Sequence, residues 1–284
     1  MPRARFLYIP IVADALATGL AACGGSDSGS DTVASEDCLP GKLTTVGSGV
    51  LTVATDKPAY PPYFEDDDPS NGRGFESAVA YAIADKLGYS KGEVEWVVEP
   101  FNRSYAPGPK KFDFDVNQIS ITPERKKAVD FSSPYYTAPQ AVIAAKGTDA
   151  SKAGSLDDLK GAKIGVQIGT TSAKAVEDEI QPDSDAKVFQ SSNDVVAALK
   201  SGQIDAMVTD LPTALYLVAV EVPDGTVVGQ FEAPGGDRWG ALLQKDSPLT
   251  ACVSKAIDDM RESGELEDIT NKWMSDYAEA PKLD

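Results

Sequence analysis

Residues 120–136 read SITPERKKAVDFSSPYY, and we predict that a strand over residues 116–121 leads into them. The strand should end where Thr122 and Pro123 begin a helix. Thr122 can accept a hydrogen bond as the cap, and Pro123 lacks an N–H that the first turn would leave unused. Arg125 would then lie in the first helical turn, close to the end of the strand.

Strands and helices alternate on both sides of this stretch. Besides residues 116–121, the predicted strands cover residues 50–55, 93–99, 140–145, 163–166 and 204–208. The predicted helices cover residues 75–87, 173–180 and 193–202, a segment that begins at Pro212, and two C-terminal helices separated at Ser263 and Gly264. This alternation predicts mostly parallel sheets with crossover helices, and the length of 284 residues predicts two domains.

The composition excludes several classes of function. The chain has 26 Lys and Arg against 44 Asp and Glu, a formal charge of −18, and no histidine. A chain this acidic repels phosphate backbones, so we expect no nucleic-acid partner. Without histidine there is no Ser-His or Cys-His nucleophile pair and no histidine-bearing metal site. Enzymes that use carboxylates, Lys or Tyr remain possible.

The N-terminus has the pattern of an export signal. Two arginines and an apolar run occupy residues 1–22, which we predict to be a signal peptide. Residues 20–23, LAAC, resemble the bacterial lipobox, which predicts a lipid on Cys23. Residues 23–48 would form a polar tether and an N-terminal extension. The alternative is an ordinary cleaved signal in which Cys23 has no function.

Two further cysteines, Cys38 and Cys252, would reach a compartment that permits disulfides. An even pair in an exported protein favours a Cys38–Cys252 bridge. Alternatively, Cys252 is a small buried residue on the apolar face of a helix over residues 248–262.

The ends of four predicted strands bring complementary charges together. Asp56 and Asp210 each follow a strand, Arg125 follows a third, and residues 169–172, GTTS, begin a helix after the fourth. Ligands of such sheets bind beyond the carboxyl ends of the strands. Two acids, one guanidinium and the hydroxyl of Ser120 would suit a zwitterion. Taken singly, Arg125 could be a solvated charge, and Asp210 could merely cap the next helix.

Residues 120–136 closely resemble the extracellular solute-binding protein family 3, the polar amino-acid receptors of ABC importers. The likeness covers residues 49–277 and includes further matching segments at residues 55–62, 74–76, 155–161, 165–171 and 201–206. It implies a type II periplasmic-binding-protein-like clamshell of α/β class. Lobe 1 would comprise residues 49–137 plus 239–284, and lobe 2 residues 138–238, with two hinge crossings.

The resemblance also implies a role for individual residues. Arg125, Ser120, Thr170 and Thr171 would bind the α-carboxylate, and Asp210 would bind the α-amino group. Asp56 would face the amino group or a polar side chain, and Tyr60 would cover the aliphatic part. Gln118 replaces a small residue of the family and is expected to enter the pocket. Arg103, in a Pro/Gly-rich segment over residues 101–111, either selects an acidic or amide side chain or is a surface arginine.

The function implied is that of a monomeric substrate-binding lipoprotein at the outer face of the cell membrane. It would capture a polar amino acid by closure of its lobes and deliver it to the membrane permease subunits of an ABC importer. No cofactor follows from the sequence, and we do not expect an enzyme. The alternatives are a clamshell enzyme of the cyclohexadienyl dehydratase type and a sensor module that signals through another partner.

Overall fold

The computed structural model describes residues 35–233 and 235–284, which form two five-stranded sheets flanked by helices. The first sheet has the order β2-β1-β3-β10-β4, and the second has the order β7-β6-β8-β5-β9. The strands are β1 Leu51–Thr55, β2 Val94–Val98, β3 Phe114–Asp115, β4 Val129–Ala138, β5 Gln140–Ala145, β6 Ile164–Gln167, β7 Lys187–Phe189, β8 Ala206–Asp210, β9 Gly225–Phe231 and β10 Asp237–Gln244. We call the part around the first sheet lobe 1 and the part around the second sheet lobe 2.

The helices follow the strands as the alternation predicted. They are α1 Phe75–Lys86, α2 Phe101–Ser104, α3 Thr171–Ala175, α4 Ser192–Lys200, α5 Leu211–Tyr216, α6 Thr250–Ser263 and α7 Glu265–Met274. Gly264 separates α6 from α7 because its φ of 84° is one that glycine adopts readily. None of the helices in the described part of the chain is long and apolar enough to cross a membrane.

Both sheets are mixed, whereas the sequence predicted mostly parallel ones. In lobe 1, β1 pairs in parallel with β2 and β3, while β10 runs antiparallel to β3 and β4. In lobe 2, β6 pairs in parallel with β7 and β8, while β5 runs antiparallel to β8 and β9. The antiparallel strands are those that enter or leave the hinge, because a strand that returns from the other lobe arrives in the opposite direction.

Each lobe has its own apolar core. In lobe 1, helices α1, α6 and α7 cover one face of the sheet, where Phe75, Ile83, Ile257 and Trp239 are all fully buried. In lobe 2, separate clusters of buried residues cover the two faces of the sheet. Because each sheet is covered independently, the lobes can move as bodies about the chain segments that join them.

The chain crosses between the lobes from β4 to β5 and again from β9 to β10. The two crossings lie side by side, since Asp237 pairs with Ala138. A third connection follows α7, because the amide of Gln230 on β9 donates to the carbonyl of Pro281 at 2.7 Å. Leu283 donates its amide back to Gln230 and is buried in the core of lobe 2. The predicted lobe 1 had included these residues.

Two local predictions were wrong. The strand expected over residues 116–121 is instead β3, which ends at Asp115, because Gln118 has a left-handed φ of 49° that a strand does not accommodate. The helix predicted over residues 193–202 begins at Ser192, since the Ser191 side chain caps it by accepting from the amide of Asp194. In the remaining elements, the predicted and observed ends differ by one or a few residues.

A disulfide joins Cys38 to Cys252 on α6, with 5.4 Å between the two Cα atoms. It fastens the N-terminal extension to lobe 1 and confirms the predicted pairing. Cys23 and the predicted signal peptide lie outside the described residues.

Candidate functional site

A cleft between the lobes holds a cavity of about 140 Å³, several times the space that one water molecule needs. Residues from the ends of strands in both lobes line it, as expected for sheets of this kind. Lobe 1 contributes Thr55, Asp56, Tyr60, Phe64, Phe101, Asn117, Gln118, Ser120 and Arg125, and lobe 2 contributes Gln167, Thr170, Thr171, Ser172, Ser192, Asn193, Thr209, Asp210 and Thr213.

Arg125 is a buried guanidinium on the wall of this cavity. It lies in a short turn whose start is capped by Thr122, because the Thr122 hydroxyl accepts from the Arg125 amide at 3.1 Å. The guanidinium donates to the carbonyl of Ser120 at 2.7 Å and, across the cleft, to that of Gly169 at 3.0 Å. The Tyr105 ring centre lies 4.8 Å from its central carbon, a cation–π contact.

The environment of Arg125 contains no direct counterion. Its side chain is buried, and burial lowers the pKa of the guanidinium, although an arginine stays protonated. It forms no ion pair with any carboxylate of residues 35–233 or 235–284. Two of its five N–H groups donate to the backbone carbonyls, which leaves others for an anion in the cavity.

The predicted hydroxyl residues lie close to Arg125, on opposite sides of the cleft. The Ser120 and Thr171 hydroxyl oxygens are 3.2 Å apart and join the lobes. Thr170 caps α3, because its hydroxyl accepts from the amide of Ala173 at 3.1 Å. All three residues line the cavity.

Asp210 ends β8 and faces the cavity from lobe 2. Burial, and secondarily the charge of Asp237, raise the pKa of its carboxyl well above the ordinary value. The Gln140 side chain opposes this by donating to Asp210 at 2.5 Å. Asp210 makes no side-chain cap to α5, so capping does not explain its position.

Asp56 and Tyr60 line the lobe 1 side of the cavity. The Asp56 carboxylate accepts from the backbone amides of Lys57 at 2.7 Å and Phe101 at 3.0 Å, which holds it at the end of β1. The Tyr60 hydroxyl donates across the cleft to Asn193. Both side chains are thus fixed by contacts within the protein at the wall of the cavity.

Gln118 lines the cavity, and its conformation depends on a residue that sequence reasoning missed. The fully buried Glu76 on α1 accepts from the Gln118 amide at 2.7 Å and also from the Gln118 side chain. Tyr135 donates to the same carboxylate. Burial raises the pKa of Glu76 to about 7, against an ordinary value of 4.5. An acid on the otherwise apolar face of a predicted helix was the available signal.

Arg103 does not reach the cavity. Its side chain is largely exposed, and its guanidinium lies 3.5 Å from the carboxylate of Glu99 on the surface of lobe 1. Arg103 therefore makes no contact with the cavity through which it could select a ligand side chain. The amide-bearing residues that do line the cavity are Asn117, Gln118, Gln167 and Asn193.

Comparison with known proteins agrees with this geometry. The profile of the bacterial extracellular solute-binding proteins, family 3, matches residues 51–276. The chain belongs to this family. The match spans both sheets and every cavity residue named above.

Several relatives of this solute-binding protein bind amino acids. The arginine-binding extracellular protein ArtP of Bacillus subtilis (strain 168) is 32% identical, with 93% of this chain and 96% of ArtP aligned. An ancestral arginine-binding protein, solved bound to glutamine, is 37% identical with a TM-score of 0.67 over 79% of this chain and 97% of that chain. The ancestral amino acid-binding protein AncCDT-1, a precursor of cyclohexadienyl dehydratase, is 34% identical with a TM-score of 0.64 over 79% and 95%.

Proposed function

We propose that this solute-binding protein captures a polar amino acid, as a zwitterion, between its two lobes and delivers it to the membrane subunits of an ABC importer. Membership of the family supports the transport role. The names of its relatives, which refer to arginine and glutamine, support an amino acid with a polar side chain.

The observation that carries the proposal is the buried guanidinium of Arg125, which has no carboxylate partner within the described residues. A buried charge costs several kcal/mol of free energy unless it is paired, so such a group is normally matched by an opposite charge. The α-carboxylate of an amino acid has that charge and accepts a bidentate pair of N–H bonds. Ser120 and Thr171 would add hydroxyl donors to the same carboxylate, and Thr170, whose own hydroxyl donates to the carbonyl of Gln167 at 2.8 Å, would contact the carboxylate from the start of α3.

The ammonium of the zwitterion would bind Asp210 from lobe 2, with Asp56 from lobe 1 facing the ammonium or the side chain. An ammonium beside Asp210 favours the ionised carboxylate and so opposes the effect of burial on its pKa. Tyr60 would cover the aliphatic part of the amino acid. The amides of Asn117, Gln118 and Gln167 would contact its polar end.

Closure of the lobes is the proposed mechanism of capture. Arg125 belongs to lobe 1 and Asp210 to lobe 2, so both ends of the zwitterion are paired only when the lobes are closed. The ligand then shifts the population to the closed state by its difference in affinity for the two states. Micromolar binding needs about 8 kcal/mol, which is within reach of one buried ion pair and several hydrogen bonds after ordering costs.

We further propose that residues 1–22 are a signal peptide and that a lipid on Cys23 anchors the protein at the outer face of the membrane. The lipobox pattern at residues 20–23 and the extracellular family support this location. We propose that the protein acts as a monomer, with lobes bounded as the sequence predicted except that residues 281–283 attach to lobe 2.

We also propose binding without turnover. AncCDT-1 makes a dehydratase the rival function, and Asp210, whose pKa burial raises, could act as an acid. However, Arg125, Asp210 and Asp56 are all accounted for by a zwitterion. Incubation with cyclohexadienyl acids should therefore give no product, and measurable turnover would favour the enzyme.

Calorimetry with the standard L-amino acids tests the proposal. The wild-type protein should bind at least one polar amino acid, and its analogues without the α-amino or the α-carboxyl group should bind far more weakly. The double variant Arg125→Ala/Asp210→Ala should lose binding, whereas Arg261→Ala, an exposed arginine on α6, should not. Undiminished binding by the double variant would refute the proposed site.

A further inference from the structure

Gln140 is a fully buried polar residue that the proposed binding mechanism does not yet use. It is the first residue of β5, directly after the chain has crossed from lobe 1 to lobe 2. Its pairing partner on β8 is Asp210, the proposed acceptor of the ligand ammonium. On its other side Gln140 pairs with Phe231 on β9, and the second crossing then leads to β10 in lobe 1, whose first residue is Asp237.

The side-chain nitrogen of Gln140 donates to two carboxylates at once. It lies 2.5 Å from Oδ1 of Asp210 and 2.7 Å from Oδ2 of Asp237. A primary amide has two N–H groups, one for each acid. With the amide turned over, its oxygen would face both carboxylates, so the observed orientation is the favourable one.

Among the residues that the structure describes, this arrangement leaves the side-chain oxygen of Gln140 unpaired, which costs solvation free energy. The Gln140 oxygen is buried and has no hydrogen-bond partner within the described part of the chain. A buried acceptor without a donor loses about 1–3 kcal/mol of solvation free energy. The amide is thus held by its nitrogen alone, and the two bonds to the carboxylates offset the loss at the oxygen.

We propose that Gln140 is a positioning residue that holds the Asp210 carboxylate in place for the ligand ammonium and ties it to Asp237 across the two strands that connect the lobes. This inference rests on the proposed function, because it assigns the ammonium to Asp210. Oδ1 of Asp210 is committed to the amide, so Oδ2 is the oxygen available to the ammonium.

The bridge also links the ligand to the hinge. Asp237 is almost fully buried and pairs with Ala138 at the end of β4. The side-chain amide of Gln140, a residue of the first crossing, therefore contacts both Asp210 and Asp237, which lies on the second crossing. A ligand ammonium would bind the same Asp210 carboxylate to which Gln140 donates. Binding is therefore transmitted to the strands about which the lobes rotate.

The charged groups around Asp210 set the expected dependence on pH. They are Asp237 on β10, Arg125, Glu76 on α1, and the phenols of Tyr63 and Tyr136. Donors to a carboxylate favour its ionised form, so removal of the Gln140 donors should raise the pKa of Asp210 further. Asp210 would then be neutral over a wider range of pH, and its attraction for an ammonium would fail first at the acidic side.

The test compares the wild-type protein with Gln140→Met, which keeps the length of the side chain and removes both donors. The probes are L-arginine, L-glutamine and the deamino analogue of each, measured by calorimetry from acidic to neutral pH. Gln203→Met is the control, since Gln203 also donates through its side-chain nitrogen, to the hydroxyl of Ser201, but is exposed and lies outside the cavity. Gln140→Asn replaces Gln140→Met if that variant does not fold, because its amide is shorter by one methylene and should not reach both carboxylates, so the same loss of affinity is expected.

The expected result is a loss of about tenfold in affinity for the amino acids in Gln140→Met, largest at the acidic end, and little loss for the deamino analogues. Equal losses for both kinds of probe would overturn the proposal, because a merely structural role does not distinguish them. Carbon NMR titration of Asp210 without ligand is an independent measurement. A pKa of Asp210 that is unchanged in the variant would also overturn the role of Gln140, whereas absence of amino-acid binding by the wild-type protein would contradict the proposed function.

Discussion

Replacement of Glu76 by Gln should change how the stability of the protein depends on pH. Glu76 is fully buried beneath the cavity, where it accepts from Gln118 and Tyr135. Burial raises its pKa from 4.5 to about 7, even though these hydrogen bonds oppose the change. A carboxyl with a higher pKa in the folded protein than in the unfolded chain binds its proton more tightly when the protein is folded.

The sign and the size follow from these two values. The protonated carboxyl stabilises the fold fully below pH 4.5, and this contribution is lost as the pH rises to about 7. A difference of about 2.5 in pKa corresponds to roughly 3 kcal/mol of unfolding free energy. Glutamine has nearly the same shape and does not titrate. Relative to the wild-type protein, Glu76→Gln should therefore gain up to roughly 3 kcal/mol between acidic and neutral pH.

Urea unfolding at several pH values and constant ionic strength measures this difference. Glu262→Gln is the control, because Glu262 is an exposed acid on α6 whose replacement leaves the cavity untouched. At acidic pH Glu76→Gln could be less stable than the wild-type protein, since Gln118 must reorient its amide. The prediction concerns only how the free energy of unfolding changes with pH. Parallel stability curves for the wild-type protein and Glu76→Gln would refute the reasoning.

Three further changes have defined outcomes. Arg125→Lys should lower amino-acid affinity in calorimetry at least tenfold, because lysine cannot make a forked pair with a carboxylate, and unchanged affinity would contradict its assignment. Replacement of Cys38 and Cys252 by serine removes a cross-link between residues 214 positions apart and should lower the free energy of unfolding by up to roughly 5 kcal/mol, measured with urea. An unchanged free energy of unfolding would show that the disulfide does not contribute to stability. Leu283→Asp should cost about 2 kcal/mol and speed hydrogen exchange of the β9 amide that donates to Pro281, while the exposed neighbour change Lys282→Asp should do neither.

The alternation of elements was readable from the sequence because most strands and helices here follow their local pattern. Periodicity placed α1, and Gly264 predicted the break between α6 and α7. The strand before Ser120 was misplaced because its end is set by Gln118, whose left-handed backbone is held by a carboxylate 42 residues earlier. A contact so distant along the chain leaves no local signal.

The candidate site divides in the same way. Arg125 and Asp210 were predicted because strand ends meet at the edge of a sheet, and both residues line the cavity. Arg103 was proposed from a family position, yet the one-turn helix α2 and its exposed side chain direct it to Glu99 on the surface. Gln140 escaped notice because it reads as the first residue of an apolar strand, and its two acidic partners lie 70 and 97 residues away.

The attachment of residues 281–283 to β9 has a consequence for domain motion. Two adjacent crossings alone would let the lobes twist relative to each other as well as open and close, since two neighbouring strands resist twisting poorly. An extra attachment at Gln230 opposes the twisting and favours rotation about one axis. The two lobes should therefore return to the same relative orientation each time they close, so that Arg125 and Asp210 are correctly placed for the two charged ends of the ligand.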